Sequence, residues 1–152
     1  CIRDREGAVE LPEGEFNAAF NPEAVVKVTD VLLASHENTA QVIDARPAAR
    51  FNAEVDEPRP SLRRGHIPGA LNVPWTELVR EGELKTTDEL DAIFFGRGVS
   101  YDKPIIVSCG SGVTAAVVLL ALATLDVPNV KLYDGAWSEW GARADLPVEP
   151  VK

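Results

Sequence analysis

The chain has 152 residues, with 15 basic against 24 acidic side chains and a formal net charge of −9 at pH 7. This length suits one domain with its own core, and the acidic balance argues against nucleic-acid binding, so any anion site must be local. Two cysteines, and two histidines without ligand spacing, predict neither a disulfide framework nor a metal site. The longest apolar block, residues 113–125, is too short for a membrane span, and the charged start does not resemble a signal peptide. We therefore expect a protein of the reducing cytoplasm that does not bind membranes.

Residues 1–20 show neither helical nor strand periodicity and are predicted to be an acidic interdomain linker, whereas residues 21–152 form the domain. Asn21, Pro22 and Glu23 predict the start of a helix that continues to Leu33. The remaining predicted elements follow in chain order: a strand over 40–44, a strand over 71–73, a helical turn near 75–79, a helix capped by Thr87 and ending at Phe95, a strand over 104–108, a helix over 113–124, a strand over 130–133 and a helical piece over 137–142.

Strands rich in valine and isoleucine alternate with helices along the chain, which predicts an α/β fold: a parallel sheet of about five strands flanked by helices on both faces. Asp44, Cys109 and Asp134 each lie at or just after the end of a predicted strand. Because the carboxyl ends of parallel strands meet at one edge, where ligands bind, we expect these three residues to lie there together.

A candidate nucleophile follows the strand over 104–108, where Cys109 begins the run Cys-Gly-Ser-Gly-Val-Thr. Gly110 and Gly112 allow the backbone to curl with its N–H groups inward, and the helix that follows adds the positive end of its dipole. Such a loop stabilises a thiolate or a sulfur-borne anion. The alternative is a buried structural cysteine, which has no need of the two glycines.

Four motifs together resemble the rhodanese-like sulfurtransferases: residues 42–46, 65–70, 109–114 and 133–140. They span residues 40–141 in the order and spacing of that family. The loop after Cys109 is most similar to that of the C-terminal catalytic domain of bacterial 3-mercaptopyruvate sulfurtransferases. This resemblance implies a rhodanese-like fold and a catalytic domain over residues 21–152. The resemblance also implies, as a partner, the N-terminal rhodanese domain that usually precedes it and that this sequence does not include.

The resemblance also implies a reaction without a cofactor. Sulfur moves from 3-mercaptopyruvate to Cys109 as a persulfide, pyruvate is released, and a thiol, a thioredoxin-like protein or cyanide accepts the sulfur. Arg50 and Arg59 match the two arginines that the subfamily uses on the substrate, and guanidinium groups can bind a carboxylate through two parallel hydrogen bonds. Ser111 either acts on the sulfur or the leaving carbon, or caps the turn. Gly110, Gly112, Val113 and Thr114 complete the active-site loop.

The residue chemistry of the loop independently favours mercaptopyruvate. Thiosulfate is a dianion and would be served by basic side chains directly after the cysteine, but Gly110 and Ser111 are neutral and small. Mercaptopyruvate carries one carboxylate and needs a cation some distance from the reacting sulfur instead.

Other conspicuous residues near the site have structural interpretations. We expect Asp44 and Arg46 to organise loops by hydrogen bonds and an ion pair, and His66 to be a structural donor rather than a proton shuttle. Trp137 and Trp140 are expected to pack in the core. Ala136 stands where relatives often have serine, which casts doubt on a hydroxyl contact to the persulfide from that side.

Three alternatives remain open. The first is a thiosulfate sulfurtransferase. The second is a phosphatase on the same scaffold, which needs an arginine six positions after the cysteine, where this chain has Ala115. The third is a non-catalytic rhodanese module for regulation or binding, a class expected to lose the cysteine that is present here.

Overall fold

The computed structural model describes residues 14–15, 17–19 and 21–150, so most of the predicted linker over residues 1–20 lies outside the described residues. The strands of the described part are β1 (Val25–Val26), β2 (Gln41–Asp44), β3 (Leu71–Asn72), β4 (Val79–Arg80), β5 (Glu83–Leu84), β6 (Ile105–Ser108) and β7 (Val130–Tyr133). The α-helices are α1 (Val28–Glu37), α2 (Ala48–Phe51), α3 (Thr87–Gly96), α4 (Ala115–Thr124) and α5 (Ala136–Trp140), and two 3-10 helices cover Pro22–Ala24 and Trp75–Glu77.

The main sheet has five strands in the order β1-β7-β6-β2-β3, and all of its pairings are parallel. The predicted α/β class and parallel sheet are confirmed. Strands β4 and β5 pair with each other as a separate antiparallel hairpin. No helix of the described part is both long and apolar enough to cross a membrane.

Two apolar layers cover the sheet because successive side chains of a strand point to opposite faces. Along β6, Ile105 and Val107 join one core cluster with residues of α3 and α4, whereas Ile106 joins a second cluster with residues of α1 and α5. The strand is buried along its whole length. The predicted placement of helices on both faces is therefore confirmed, and the same alternation carries Cys109 onto the face covered by α4.

The predicted helix over residues 21–33 is wrong in its first half. Asn21 does cap a helical turn, since its Oδ1 accepts a hydrogen bond of 3.0 Å from the Glu23 amide, but that turn is a 3-10 helix that ends at Ala24. Val25 and Val26 then form the edge strand β1 beside β7, and α1 begins only at Val28. Two β-branched residues beside an open strand edge favour pairing with the sheet over continuing the turn.

Three other boundaries are corrected by local contacts. The cap of α3 is Thr86 rather than Thr87, because the side chain of Glu89 accepts the Thr86 amide at 3.1 Å. Helix α4 begins at Ala115, two residues later than predicted, so Val113 and Thr114 belong to the loop. Helix α5 covers Ala136–Trp140 instead of 137–142.

Candidate active site at the Cys109 loop

Cys109 directly follows β6 and is buried, with 1% of its surface exposed. It belongs to the core cluster between the sheet and α4, and it is not in a disulfide. Its carbonyl oxygen accepts a hydrogen bond of 2.9 Å from the Trp137 amide. The strand end, the loop and α5 therefore hold the backbone of Cys109 in place.

The loop needs glycine at position 112. The φ angle of Gly112 is +83°, a conformation that residues with a Cβ rarely adopt, and an added Cβ would lie 2.9 Å from Asp134 Oδ1. Asp134 follows β7, Cys109 follows β6 and Asp44 ends β2. As predicted, these three residues share the carboxyl edge of the sheet.

The other side of the loop is tied to α5 through Ser138. The carbonyl oxygen of Gly110 accepts two hydrogen bonds from this residue, one from its amide at 2.9 Å and one from its hydroxyl at 2.7 Å. Tyr133 secures the turn before α5, because its hydroxyl donates to Glu139 Oε2 at 2.8 Å. Burial, together with this hydrogen bond to Glu139, raises the pKa of Tyr133 well above its ordinary value, so the hydroxyl stays a donor.

A pocket of about 280 Å³ opens beside the loop. Charged and hydroxyl-bearing side chains share its lining with the loop backbone: Arg50, Glu57, Pro58, Arg59, Leu62, Gly110, Ser111, Thr114 and Ser138. Cys109 is not among the lining residues, but the two residues that follow it, Gly110 and Ser111, are. Both predicted substrate arginines thus face the pocket formed by the predicted active-site loop.

Arg50, in α2, lies opposite the loop. Its Nε donates to Glu57 Oε1 at 3.1 Å, and its Nη2 donates to Glu57 Oε2. A Cβ added to Gly110 would lie 3.0 Å from Nη2, so the guanidinium group closely approaches the loop backbone. The Arg50 side chain is 23% exposed, which leaves part of the guanidinium group open to the pocket.

Arg59 approaches from the irregular segment that follows. It is exposed, and its Nη1 donates to Ser138 Oγ at 3.0 Å. Because the same hydroxyl donates to the Gly110 carbonyl, Arg59 is linked to the loop through one serine.

Asp44 and Arg46 form a buried ion pair behind Arg50. Arg46 donates from Nη2 to Asp44 Oδ2 at 2.7 Å, from Nη1 to Glu57 Oε1 at 2.8 Å and from Nη2 to the Gly65 carbonyl at 2.8 Å. Its guanidinium carbon lies 4.3 Å from the centre of a Trp137 ring. These contacts join β2 to the loops around the pocket.

His66 lies outside the pocket lining. Its ring stacks on Phe51 with 3.7 Å between ring centres, and Nδ1 lies 2.8 Å from the Phe51 carbonyl oxygen. These contacts suit the structural role expected for it. Trp137 and Trp140 are buried in the core cluster on the α1 side, as predicted.

The rest of the loop is more open. Ser111 is exposed, and its hydroxyl takes part in none of the hydrogen bonds found among the described residues, so the turn-capping alternative finds no contact here. Thr114 lines the pocket without capping α4 through its side chain, and Val113 is 74% exposed. Within the described chain, no group of three or more His, Cys, Asp or Glu side chains could hold a metal ion.

Four of the lining residues were not predicted from the sequence, and two of them, Glu57 and Ser138, bind the predicted arginines. Glu57 lies two residues before Arg59 and seven after Arg50, but Glu54 and Asp56 stand between the same two arginines, so the sequence alone did not indicate which acid forms the ion pair. Ser138 lay within a family motif, but nothing in its spacing indicated a contact with Arg59.

Comparisons with known proteins agree with this geometry. A family model described as a rhodanese-like domain matches residues 27–143. The 3-mercaptopyruvate sulfurtransferase of Escherichia coli strain K12 is 99% identical over 147 residues, which is 97% of this chain and 52% of that protein. The enzyme of the same name from Rattus norvegicus is 41% identical over 131 residues, 86% of this chain and 44% of that protein.

A solved structure extends the agreement to the fold. The crystal structure of SseA from Escherichia coli, described by its "Rhodanese" fold and the catalytic mechanism of 3-mercaptopyruvate sulfotransferases, matches with a TM-score of 0.74 and 96% identity, covering 89% of this chain and 50% of that one. The chain spans about half the length of the curated relatives it matches. The family model, the motifs and the fold agree, and the chain belongs to the family of rhodanese-like domains.

Proposed function

We propose that this chain is the catalytic half of a 3-mercaptopyruvate sulfurtransferase, with Cys109 as the residue that accepts sulfur. The observation that carries the proposal is the shared pocket, in which Arg50 and Arg59 lie beside a loop whose own side chains are neutral. The relatives named above support the same choice of donor. The pocket offers guanidinium groups from outside the loop, while the loop itself is neutral, which suits a donor whose carboxylate is remote from its sulfur.

The reaction has two balanced steps. The Cys109 thiolate attacks the sulfur of mercaptopyruvate, an S–S bond forms, and the C–S bond breaks with its electron pair leaving on carbon as the enolate of pyruvate. A proton completes pyruvate, and Cys109 keeps the sulfur as a persulfide. In the second step a nucleophile such as a thiol or cyanide attacks the outer sulfur, and Cys109 leaves as the thiolate.

The loop supplies the electrostatics for these anions. It leads into the N-terminus of α4, where unpaired backbone amides and the helix dipole favour negative charge. Because this stabilisation comes from the backbone, the reaction we propose uses no cofactor. The exposed hydroxyl of Ser111 lines the pocket and is available to donate to the sulfur or to deliver the proton to the enolate carbon.

Access to the nucleophile sets a further requirement. Cys109 is 1% exposed and is not among the lining residues, so the donor sulfur reaches it through a rotation of the side chain or a small movement of the loop. The short polar contacts that hold the Gly110 carbonyl limit that movement to the tip of the loop, where Ser111 and Val113 are exposed.

The remaining roles of site residues and partners are part of the same proposal. Arg50 and Arg59 bind the donor carboxylate, while Asp44, Arg46 and His66 support the loops that present them. A small thiol, a thioredoxin-like protein or cyanide accepts the sulfur, and a reducing cytoplasm suits a thiol nucleophile. Because the curated relatives are about twice the length of this chain, we also propose a second, N-terminal rhodanese domain as its partner.

Incubating the chain with a panel of sulfur and phosphoryl donors separates the alternatives. With mercaptopyruvate plus a thiol acceptor, we expect pyruvate at a kcat/KM above that for sulfite release from thiosulfate. Faster release of sulfite would indicate a thiosulfate sulfurtransferase, and phosphate release from an aryl phosphate would indicate a phosphatase. No turnover of any donor would favour a binding module.

A further inference from the structure

Among the described residues that line the pocket, Glu57 is the only one with a carboxylate, and its side chain is 1% exposed. A carboxylate next to a site for an anionic donor opposes binding unless its charge is compensated. Here two arginines compensate it. Oε1 accepts from Arg46 Nη1 at 2.8 Å and from Arg50 Nε at 3.1 Å, and Oε2 accepts from Arg50 Nη2.

The carboxylate is itself held from behind. Arg46 is 1% exposed and binds both oxygens of Asp44, with Nε at 3.1 Å from Oδ1 and 3.0 Å from Oδ2. The order Asp44, Arg46, Glu57, Arg50 is therefore a chain of alternating charges that begins in β2 and ends at the pocket. The four charges sum to zero. Of the four residues, Arg50 is the one that presents to the pocket N–H groups not used within the chain of ion pairs.

This arrangement determines which edge of Arg50 is available. The Nε and Nη2 edge, one of the two edges of the guanidinium group that can bind a carboxylate through two hydrogen bonds, is occupied by Glu57. Nη1 takes part in no hydrogen bond among the described residues, and it would lie 3.7 Å from a Cβ added to Gly110. A ligand carboxylate can therefore meet Arg50 only at its Nη1 and Nη2 end, on the side of the loop.

We propose that Glu57 is a positioning residue, which turns the Nη1 and Nη2 end of Arg50 toward the loop and thereby makes the pocket select carboxylate-bearing sulfur donors. The identity of the donor rests on the proposed function, whereas the orientation of the Arg50 guanidinium group is inferred from its contacts with Glu57 alone. Glu57 does not touch the reacting atoms. It acts through Arg50.

The variant Glu57→Gln tests positioning against simple charge. Glutamine offers one acceptor oxygen, and its amide nitrogen would face an arginine N–H group. One of the hydrogen bonds that orient Arg50 is therefore lost. If Glu57 acted only through its negative charge, removing that charge would strengthen the attraction of the pocket for anions. The two accounts therefore predict opposite signs.

The readout is alkylation of Cys109 by two matched reagents, 3-bromopyruvate and bromoacetone. In both, the Cys109 thiolate displaces bromide from the CH2 group and forms a C–S bond, but only bromopyruvate carries a carboxylate. The ratio of their second-order rate constants, followed on the Cys109 peptide by mass spectrometry, measures carboxylate selection at the nucleophile. It needs no turnover.

We expect Glu57→Gln to lower this ratio by about fivefold or more, as loss of a charge-assisted hydrogen bond does. Glu77→Gln is the matched control, because Glu77 also binds an arginine, Arg97 Nη2, at 2.6 and 2.7 Å, but in an exposed pair outside the pocket. The control should leave the ratio unchanged. An unchanged or increased ratio in folded Glu57→Gln would overturn the proposal.

Glu57→Asp keeps the test decisive if Glu57→Gln does not fold. The shorter side chain retains the charge but cannot reach both arginines as Glu57 does, so positioning again predicts a lower ratio, whereas charge alone predicts no change. Circular dichroism identifies which variants are folded. If the wild-type chain released no pyruvate from mercaptopyruvate, the proposed function would fail, yet the alkylation ratio would still decide the role of Glu57.

Discussion

The two arginines of the pocket are held in contrasting ways. On one flank, Arg50 ends a buried chain of ion pairs that reaches back to Asp44 in β2. On the other flank, Arg59 is exposed and makes its hydrogen bond to a single hydroxyl, that of Ser138. The pocket therefore combines one cation that is fixed before a ligand arrives with one that can adjust to it.

The difference follows from burial. Ordering an exposed arginine costs side-chain entropy, and solvent screens its charge, so its contacts contribute little. A guanidinium group that a buried carboxylate already orients has lost that freedom during folding, and its charge is less screened. We expect Arg50 to supply most of the binding energy for a carboxylate, and Arg59 to refine its orientation.

Of the two arginines, Arg50 should have the larger effect on kcat/KM when it is replaced. Loss of a partly desolvated contact to a carboxylate costs roughly 2–4 kcal/mol, which is about one and a half to three decades. We expect Arg50→Ala to lower kcat/KM for mercaptopyruvate by that factor, and to lower it far less for an uncharged sulfur donor. Equal losses on both donors would show that Arg50 is structural, and Arg97→Ala provides a control for loss of an exposed arginine.

Replacing Arg59 should have a smaller effect. As an exposed cation it contributes about 1 kcal/mol, so Arg59→Ala should lower kcat/KM for mercaptopyruvate by about fivefold. Ser138→Ala, which removes its hydrogen-bond partner, should reproduce part of that loss. If steady-state kinetics showed Arg59→Ala to be as damaging as Arg50→Ala, the distinction between a fixed and an adjustable arginine would be wrong.

Adding a positive charge to the loop should change the preference between donors by a smaller factor than the loss of Arg59 changes kcat/KM. Ser111 is exposed and lines the pocket, so Ser111→Lys places a cation beside the nucleophile and should raise the ratio of kcat/KM for thiosulfate over mercaptopyruvate by about two- to threefold. Ser111→Gln controls for the size of the side chain. A charge at Gly110 is a poorer test, because its Cβ would press on Arg50 Nη2. An unchanged ratio would mean that loop charge does not select the donor.

The smallest effect concerns an exposed pair, Arg80 and Glu89, outside the pocket. The hydrogen bond from Arg80, followed by those from Thr86, lowers the pKa of Glu89 from 4.5 to about 2. A carboxylate with a lowered folded pKa stabilises the fold above its unfolded pKa and loses this contribution as the pH falls through the folded value. The stability difference between the wild-type chain and Glu89→Gln should therefore be constant above pH 4.5 and shrink toward pH 2.

Denaturant unfolding at several pH values measures that difference, and donor kinetics of Glu89→Gln provide the contrast with Glu57. We expect unchanged kinetics, because this pair lies on the hairpin side of α3 rather than at the pocket. A kinetic loss in Glu89→Gln would show that any arginine–carboxylate pair affects turnover, and that the contacts of Glu57 are not special.

The sequence predicted the parts of the fold that carry a strong local pattern. The apolar runs of β2, β6 and β7 predicted the parallel sheet, and its carboxyl edge followed from the strand ends at Asp44 and Cys109. The two-residue strand β1 was missed because so short a segment has no period. Its pairing with β7 depends on contacts from more than a hundred positions away, at Leu132 and Tyr133.

The candidate site was predictable in its nucleophile and loop, but not in its supporting contacts. Arg50 and Arg59 could be named from the family resemblance, whereas their partners Glu57 and Ser138 could not. Ser138 is 79 residues from Arg59 along the chain, and only the packing of α5 against the loop brings them together. The edge of Arg50 that is left for a ligand could not be predicted either, because sequence spacing does not reveal that Glu57 occupies the Nε and Nη2 edge.

The most direct test of the account is the mass of Cys109 after incubation with mercaptopyruvate and no acceptor. Peptide mass spectrometry should find one added sulfur on the Cys109 peptide, with one pyruvate released per sulfur bound, and Cys109→Ser should show neither. An added sulfur on Cys1 alone, or full pyruvate release by Cys109→Ser, would contradict the account.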